Sequence, residues 1–263
     1  GGIMKISIIG AGAMGGAIAE GLLRCDDLRA DDITVCDHNQ PVMDHFAQKG
    51  TSVTSDNQLA AEGSDIVMVV VKPWCVEQTL KGIKPVIDYK SQLLVVVAAG
   101  IPSEKINEWM EKDGEKPSLF LVMPNIAIAE KASMTYISAC GASAKEKQTV
   151  TELFDKLGET IVLEERLFPA ATAMSCSIGY AMRYVRANVE GAVEIGFKAK
   201  DAQKIVLQTI KGAVELLQAS GEHPEAAIDK VTTPGGLTIR GLNEMEHAGF
   251  SSAVIRGLKA GKI

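Results

Sequence analysis

Short apolar runs rich in β-branched residues alternate with longer segments of helical period along the first part of the chain. The runs fall at residues 5–9, 33–36, 51–54, 66–71, 93–97 and 119–122. Between them, segments 13–24, 42–48, 76–87 and 103–112 carry apolar residues at helical spacing, several opened by a Ser, Pro or Gly of the kind that starts a helix. Near-continuous apolar strands separated by helices predict βαβ units in a parallel sheet covered on both faces. Runs 133–138 and 160–163 flank a helical stretch at 145–157 and are expected to extend that sheet at one edge.

After about Glu165 the pattern changes. Strand-like runs stop, and long helical patterns at 168–197 and 201–218 lead into shorter helices. The expected division is an α/β domain over 1–165 and an all-α domain over 166–263. Small residues at Ala170, Ala171, Ala173, Ala181, Ala187, Gly191 and Ala192 suit close helix packing. A helical domain too elongated for a core of its own is expected to bury surface in a second subunit, with an ordinary monomeric helical domain as the alternative.

Composition acts mainly by exclusion. The 27 Lys and Arg stand against 33 Asp and Glu, giving a net charge of -6 and a pI near 5.4. The cations are scattered rather than striped, which argues against a nucleic-acid partner. Cys25, Cys36, Cys75, Cys140 and Cys176 lie far apart with no C-x-x-C pair and no nearby His cluster, so neither a disulfide framework nor a metal site is implied. No apolar run reaches the roughly 18–20 residues of a membrane span, and no charged-then-apolar leader precedes the first strand. A cytoplasmic, reducing location is expected, with Gly1, Gly2 and Ile3 ahead of Met4 read as a cloning remnant.

Candidate chemistry begins where the first strand runs into Gly10-Ala11-Gly12-Ala13-Met14-Gly15. Gly10 permits a tight turn and Gly12 lets backbone approach a pyrophosphate, whose charge the following helix N-terminus receives. The same spacing also serves a strand-to-helix turn with no ligand. Its position after the first apolar strand and before a helix points instead to a dinucleotide, and so to a Rossmann-type, doubly wound, mostly parallel sheet. The second strand ends at Asp37, where an acid hydrogen-bonds a ribose 2′-hydroxyl and repels a 2′-phosphate. Asp37 therefore tilts the choice between NADPH and NADH towards NADH, a capping or solvated Asp being the alternative.

Val70-Val71-Lys72-Pro73, Ala98-Ala99-Gly100-Ile101 and Met123-Pro124-Asn125 close the fourth, fifth and sixth strands. Each alone is compatible with simple turn chemistry; on one sheet edge they outline a nicotinamide channel. The helical half contains Thr232-Thr233-Pro234-Gly235-Gly236-Leu237-Thr238-Ile239. Such a turn presents successive backbone N–H groups to a small carboxylate and sets Thr238 in the first turn of the next helix. By itself it reads more simply as a helix-breaking loop with Thr caps. His38, His45, His223 and His247 fall in loops or on helix surfaces, and structural roles are expected for them.

Taken together, these motifs resemble the pyrroline-5-carboxylate reductase family over essentially the whole chain. The resemblance rests on Gly10 to Met14, Val71-Lys72-Pro73, Ala98-Ala99-Gly100-Ile101, Met123-Pro124-Asn125 and, most specifically, Thr233-Pro234-Gly235-Gly236-Leu237-Thr238-Ile239 followed by Gly241-Leu242. It implies a cytoplasmic enzyme of proline biosynthesis that reduces pyrroline-5-carboxylate with NADPH or NADH. It places Asn57 near the adenosine end of the cofactor. The substrate carboxylate would lie on Thr233, Gly235, Gly236 and Leu237, with the ring nitrogen at Thr238. It also implies a homodimer through the helical domain, and rings of such dimers. Three departures fall on the helical wall: Leu121 where the family usually has Arg, Ser175-Cys176-Ser177-Ile178-Gly179-Tyr180-Ala181 in place of a Ser-Gly-Ser-Gly-Pro-Ala-Tyr segment, and Gly221 for an acid ahead of the His223-Pro224 pair.

Two other readings stay open at this level. A β-hydroxyacid dehydrogenase shares the two-domain plan but uses a Lys as general acid on the first long helix of its second domain. That stretch here carries Gly179, Arg183, Arg186 and Asn188, with no Lys before Lys198, and Arg is a poor proton donor. The other is a non-catalytic, nucleotide-responsive relative.

Overall fold

The computed structural model describes residues 4–262, so the segment ahead of Met4 lies outside the described residues. Eight strands form one sheet: β1 (Ile6–Ile9), β2 (Ile33–Cys36), β3 (Ser52–Thr54), β4 (Ile66–Val69), β5 (Leu93–Val96), β6 (Ser118–Met123), β7 (Ser133–Cys140) and β8 (Gly158–Val162). Their order is β3-β2-β1-β4-β5-β6-β7-β8. Every pairing is parallel except β6 with β7, which is antiparallel. The expected doubly wound, mostly parallel sheet is therefore present, with β7 and β8 extending it at the predicted edge.

The strands are buried on both faces, and alternation sorts their side chains between two cores. Ile6, Ile8, Ile66, Met68, Phe120 and Val122 pack with Ile18 and Leu22 of α1 (Ala13–Leu23) and with Leu153 and Phe154 of α6 (Ala144–Asp155). Ile9, Val67, Val69, Leu94 and Leu119 point the other way, onto α3 (Asn57–Ala61), α4 (Pro73–Ile83) and α5 (Ser103–Met110). Each large side chain so buried contributes roughly 1.5–3 kcal/mol by leaving water. Helix α2 (Gln40–Gln48) adds Phe46 to the first core. The winding reverses between β1 and β4, so a crevice opens at their carboxyl ends, the usual ligand edge of such sheets.

Element boundaries depart from the expected ones for local reasons. Helix α4 begins at Pro73 rather than residue 76, because a proline at the first helical position costs no hydrogen bond. It stops at Ile83 because Pro85 stands in the 3₁₀ turn Lys84–Val86. The strand expected at 66–71 ends at Val69, although Val70 N–H still donates to Ile9 O. Helix α3 had no counterpart in the sequence reading. Its five residues are too few to show a period, and Asp56 caps it by accepting from the amides of Gln58 and Leu59.

The chain separates into two compact units, the first running to Ser175 and the second spanning Cys176–Gly261. The break falls within α7 (Phe168–Glu194). In the second unit, α7 packs on α8 (Ala199–Ser220) through a small core of Val189, Ala202 and Val206. Helices α9 (Pro224–Lys230), α10 (Leu237–His247) and α11 (Phe250–Ala260) complete it, with Phe250 edge-on to Tyr184 at 6.1 Å.

Candidate functional site

The glycines after β1 have three different physical reasons to be glycine. Gly10 adopts φ +98, and a Cβ there would lie 2.3 Å from Val70 O. A Cβ on Gly15 would lie 1.8 Å from Gly10 O, so this glycine lets α1 close onto the strand end. Gly12 has nothing within 4 Å of its Cβ position and no side chain caps α1 there. The open side of Gly12 and the uncapped N–H groups of Ala13 and Met14 fit the approach of a pyrophosphate.

Asp37 stands just past β2 and uses both carboxylate oxygens on backbone. Oδ2 accepts from Ala11 N–H and Oδ1 from Asn39 N–H, each at 2.8 Å. The carboxylate thus braces the glycine-rich loop against the β2 end, a role the sequence reading did not foresee. Each oxygen keeps a lone pair for a further donor. Next to it, Cys36 Sγ donates to Asn57 Oδ1 at 3.2 Å. Burial, reinforced by the charges of Asp37 and Asp56, pushes the Cys36 thiol up to about 12, so it stays protonated and can hold the Asn57 amide. With its Oδ1 taken by the thiol, Asn57 keeps its NH₂ group as a donor.

The remaining edge motifs also gather at the carboxyl ends of their strands. Lys72 is exposed at the N-cap of α4, with Val70 buried, Val71 half-buried and Pro73 exposed around it. Ala98, Ala99 and Gly100 leave β5, Gly100 at φ +78. Asn125 caps the 3₁₀ turn Ile126–Glu130 by accepting from Ala127 N–H at 2.9 Å, while Pro124 O accepts from Ser175 Oγ at 3.0 Å. A cavity of about 420 Å³ opens beside this edge, lined among others by Ala98, Gly100, Ser103, Leu121, Phe168 and Thr172. Leu121, one of the departures noted above, is buried in the core with Phe168 packed against that cluster.

In the second unit the Pro-Gly-Gly turn closes on itself. Gly236 N–H donates to Thr233 O at 2.9 Å, Gly235 takes φ +69, and a Cβ on Gly236 would lie 2.5 Å from Thr233 Oγ1. Gly236 thus spends its amide inside the turn. Helix α10 follows without a side-chain cap, which leaves the amides of Leu237 and Thr238 without intrahelical partners. Thr238 itself is exposed.

The structure gives two of the histidines local partners. His45 meets Glu20, which also pairs with Lys49, and His223 Nδ1 accepts from Glu225 N–H to cap α9. Sequence reasoning missed Glu165, whose carboxylate accepts from both Ser103 N–H and Ser103 Oγ–H at 2.6 Å. No local signal joins residues 62 positions apart.

Comparison with known proteins bears on the whole chain. Residues 165–262 match the family description pyrroline-5-carboxylate reductase dimerisation, and residues 5–100 match NADP oxidoreductase coenzyme F420-dependent. Pyrroline-5-carboxylate reductase 2 of Dictyostelium discoideum is 35% identical, over 97% of this chain and 89% of its own length. Pyrroline-5-carboxylate reductase 1 of the same organism is 38% identical over 96% of this chain, which spans only 48% of that longer protein. The crystal structures of 1-pyrroline-5-carboxylate reductase from Streptococcus pyogenes include a chain that superposes with a TM-score of 0.82 at 28% identity, covering 99% of this chain and 98% of that one.

Proposed function

The chain belongs to the pyrroline-5-carboxylate reductase family, and we propose that it reduces the cyclic imine of pyrroline-5-carboxylate to L-proline with NADPH or NADH. When bound, the reduced nicotinamide supplies the hydride that adds to the imine carbon. The observation that carries the reading is the Gly10–Gly12 loop, open at Gly12 and placed at the switch point of the sheet, in a chain whose helical half matches the family's dimerisation segment.

In this reading the first unit holds the reductant. The amides of Ala13 and Met14 and the open side of Gly12 take the pyrophosphate, and Gly10 and Ala11 shape the loop. Asp37 and Asn57 meet the adenosine ribose. Val70 to Pro73 and Ala98 to Gly100 bound the nicotinamide side. The second unit holds the acid: the turn at Thr233, Gly235 and Gly236 with the free amides of Leu237 and Thr238 grips the substrate carboxylate, and the Thr238 hydroxyl meets the ring nitrogen. An imine that is already protonated needs little further acid–base help, so orientation supplies most of the rate.

The anion at Asp37 favours a free ribose 2′-hydroxyl over a 2′-phosphate, so faster turnover is expected with NADH than with NADPH at matched concentration. The helical unit exposes Met182, Ile195, Phe197, Leu216, Val254 and Ile255 while its own buried core is small, which supports a homodimer and rings built from it. Among the described residues no helix is long and apolar enough to cross a membrane. All five cysteines are free thiols, consistent with work in the reducing cytoplasm. The test is direct: purified protein given pyrroline-5-carboxylate should consume NADH or NADPH and form proline. Consumption with neither, alongside reduction of NAD by a 3-hydroxy acid, would reject the assignment.

A further inference from the structure

Helix α5 starts at Ser103 immediately after Pro102, and no side chain of its own N-cap residue closes it. Its cap comes from Glu165, in the 3₁₀ turn Glu165–Leu167 that leads into α7. Ser103 N–H donates to Glu165 Oε1 and Ser103 Oγ–H to Oε2, both at 2.6 Å and half-buried. Two charge-assisted bonds to one carboxylate make a strong, oriented pair, and a negative charge at the helix start is favourable in itself.

Between β5 and α5 lies an irregular stretch with few ties. Val97 N–H donates to Val69 O at its beginning, Gly100 turns it at φ +78, and the Glu165 carboxylate fastens its end. The same stretch, together with Glu165 and Phe168, walls the cavity described above. Ala98 and Ile101 also pack against the second core, which buries Ile106 and Met110 of α5. The charge-assisted tie at the far end of the Ala98-Ala99-Gly100 turn is the Glu165 carboxylate on Ser103, from 62 residues away.

We infer that Glu165 is a positioning residue for the dinucleotide, holding the Ala98-Ala99-Gly100 turn in its binding geometry through Ser103. This rests on the functional reading above, which sets the nicotinamide against that turn. With the clasp gone, the turn must be ordered when the ligand binds, and that cost shows as weaker affinity.

The test measures dissociation constants for NADH and NADPH by calorimetry, with KM and kcat, on the full chain and on Glu165→Ala, Glu165→Gln and Ser103→Ala. Glu165→Ala should weaken binding about tenfold, the factor that ~1.4 kcal/mol represents. Glu165→Gln should fall between, since its amide oxygen keeps one acceptor, and Ser103→Ala should weaken binding less and add nothing in the Glu165→Ala background. A clasp that served stability alone would lower the melting midpoint and the active fraction, and so the apparent kcat, with dissociation constants and KM untouched; that result would overturn the inference. Should Glu165→Ala fail to fold, Glu165→Gln and Ser103→Ala decide it by the same measure. A wild-type protein that binds neither dinucleotide would overturn the functional reading, and the inference with it.

Discussion

Asp37 Oδ2 accepts the amide of Ala11 at 2.8 Å, joining the end of β2 to the glycine-rich loop across 26 positions of sequence. The same carboxylate closes a turn at Asn39. One side chain therefore shapes the loop proposed to bind pyrophosphate and sets the charge proposed to meet the adenosine ribose.

Replacing Asp37 by Ala separates these two roles. Loss of its bonds to backbone should weaken NADH binding about tenfold or more, since a hydrogen bond to a charged group is worth ~1.5–3 kcal/mol. NADPH should lose less, because the anion that repels its 2′-phosphate is gone. Calorimetry with both dinucleotides checks this; an unchanged NADH-to-NADPH ratio would leave Asp37 as a brace and nothing more.

Gly10→Ala and Gly12→Ala should part stability from binding. The first forces a Cβ to within 2.3 Å of Val70 O at φ +98, and should cost roughly 2–4 kcal/mol of stability. The second meets open space at φ -71, which any residue adopts, and should leave stability within about 0.5 kcal/mol while weakening dinucleotide binding. Denaturant melts read alongside calorimetry test both, and normal binding by Gly12→Ala would argue against the loop as the phosphate site.

Thr238→Ala tests the helical half. The hydroxyl is exposed at the start of an uncapped helix, so the fold should tolerate its loss. Turnover should fall about tenfold, the worth of one hydrogen bond at the reacting nitrogen, with nucleotide affinity unchanged. Steady-state kinetics that matched the wild type would remove Thr238 from the mechanism.

Glu146 gives a pH signature. It accepts from Ser143 N–H in the capping box of α6 and from Ser118 Oγ–H. The Ser143 backbone bond is the largest cause holding its pKa below the ordinary carboxylate value, with the Ser118 bond adding to it. A depressed folded-state pKa means stability that is fully present above the unfolded value of about 4.3 and lost as pH falls through the folded one. Glu146→Gln should therefore cost ~0.5–1 kcal/mol at neutral pH. In melts taken at successively lower pH that difference should shrink, vanishing below the ordinary carboxylate range.

Much of this molecule was legible before folding. The β1 run, the glycine spacing and the helix after it are neighbours in the chain, so period and turn chemistry identified them directly. The same holds for the Pro-Gly-Gly turn, whose left-handed Gly235 and self-closing Gly236 amide depend on local sterics. Helix α3 was hidden because five residues carry no period. That Phe168 packs against the core around Leu121 was hidden, because an apolar residue in a strand does not announce which neighbours cover it.

The sequence by itself determined the order of the strands and of every longer helix, the doubly wound sheet and the glycine-rich loop, because each follows from the alternation of apolar runs and from backbone freedom at particular glycines. Tertiary structure alone decided that Asp37 holds Ala11 and that Glu165 caps the helix beginning at Ser103. The first bond needs β1 and β2 paired side by side, and the second needs the sheet complete out to β8; no property of either partner in isolation selects the other.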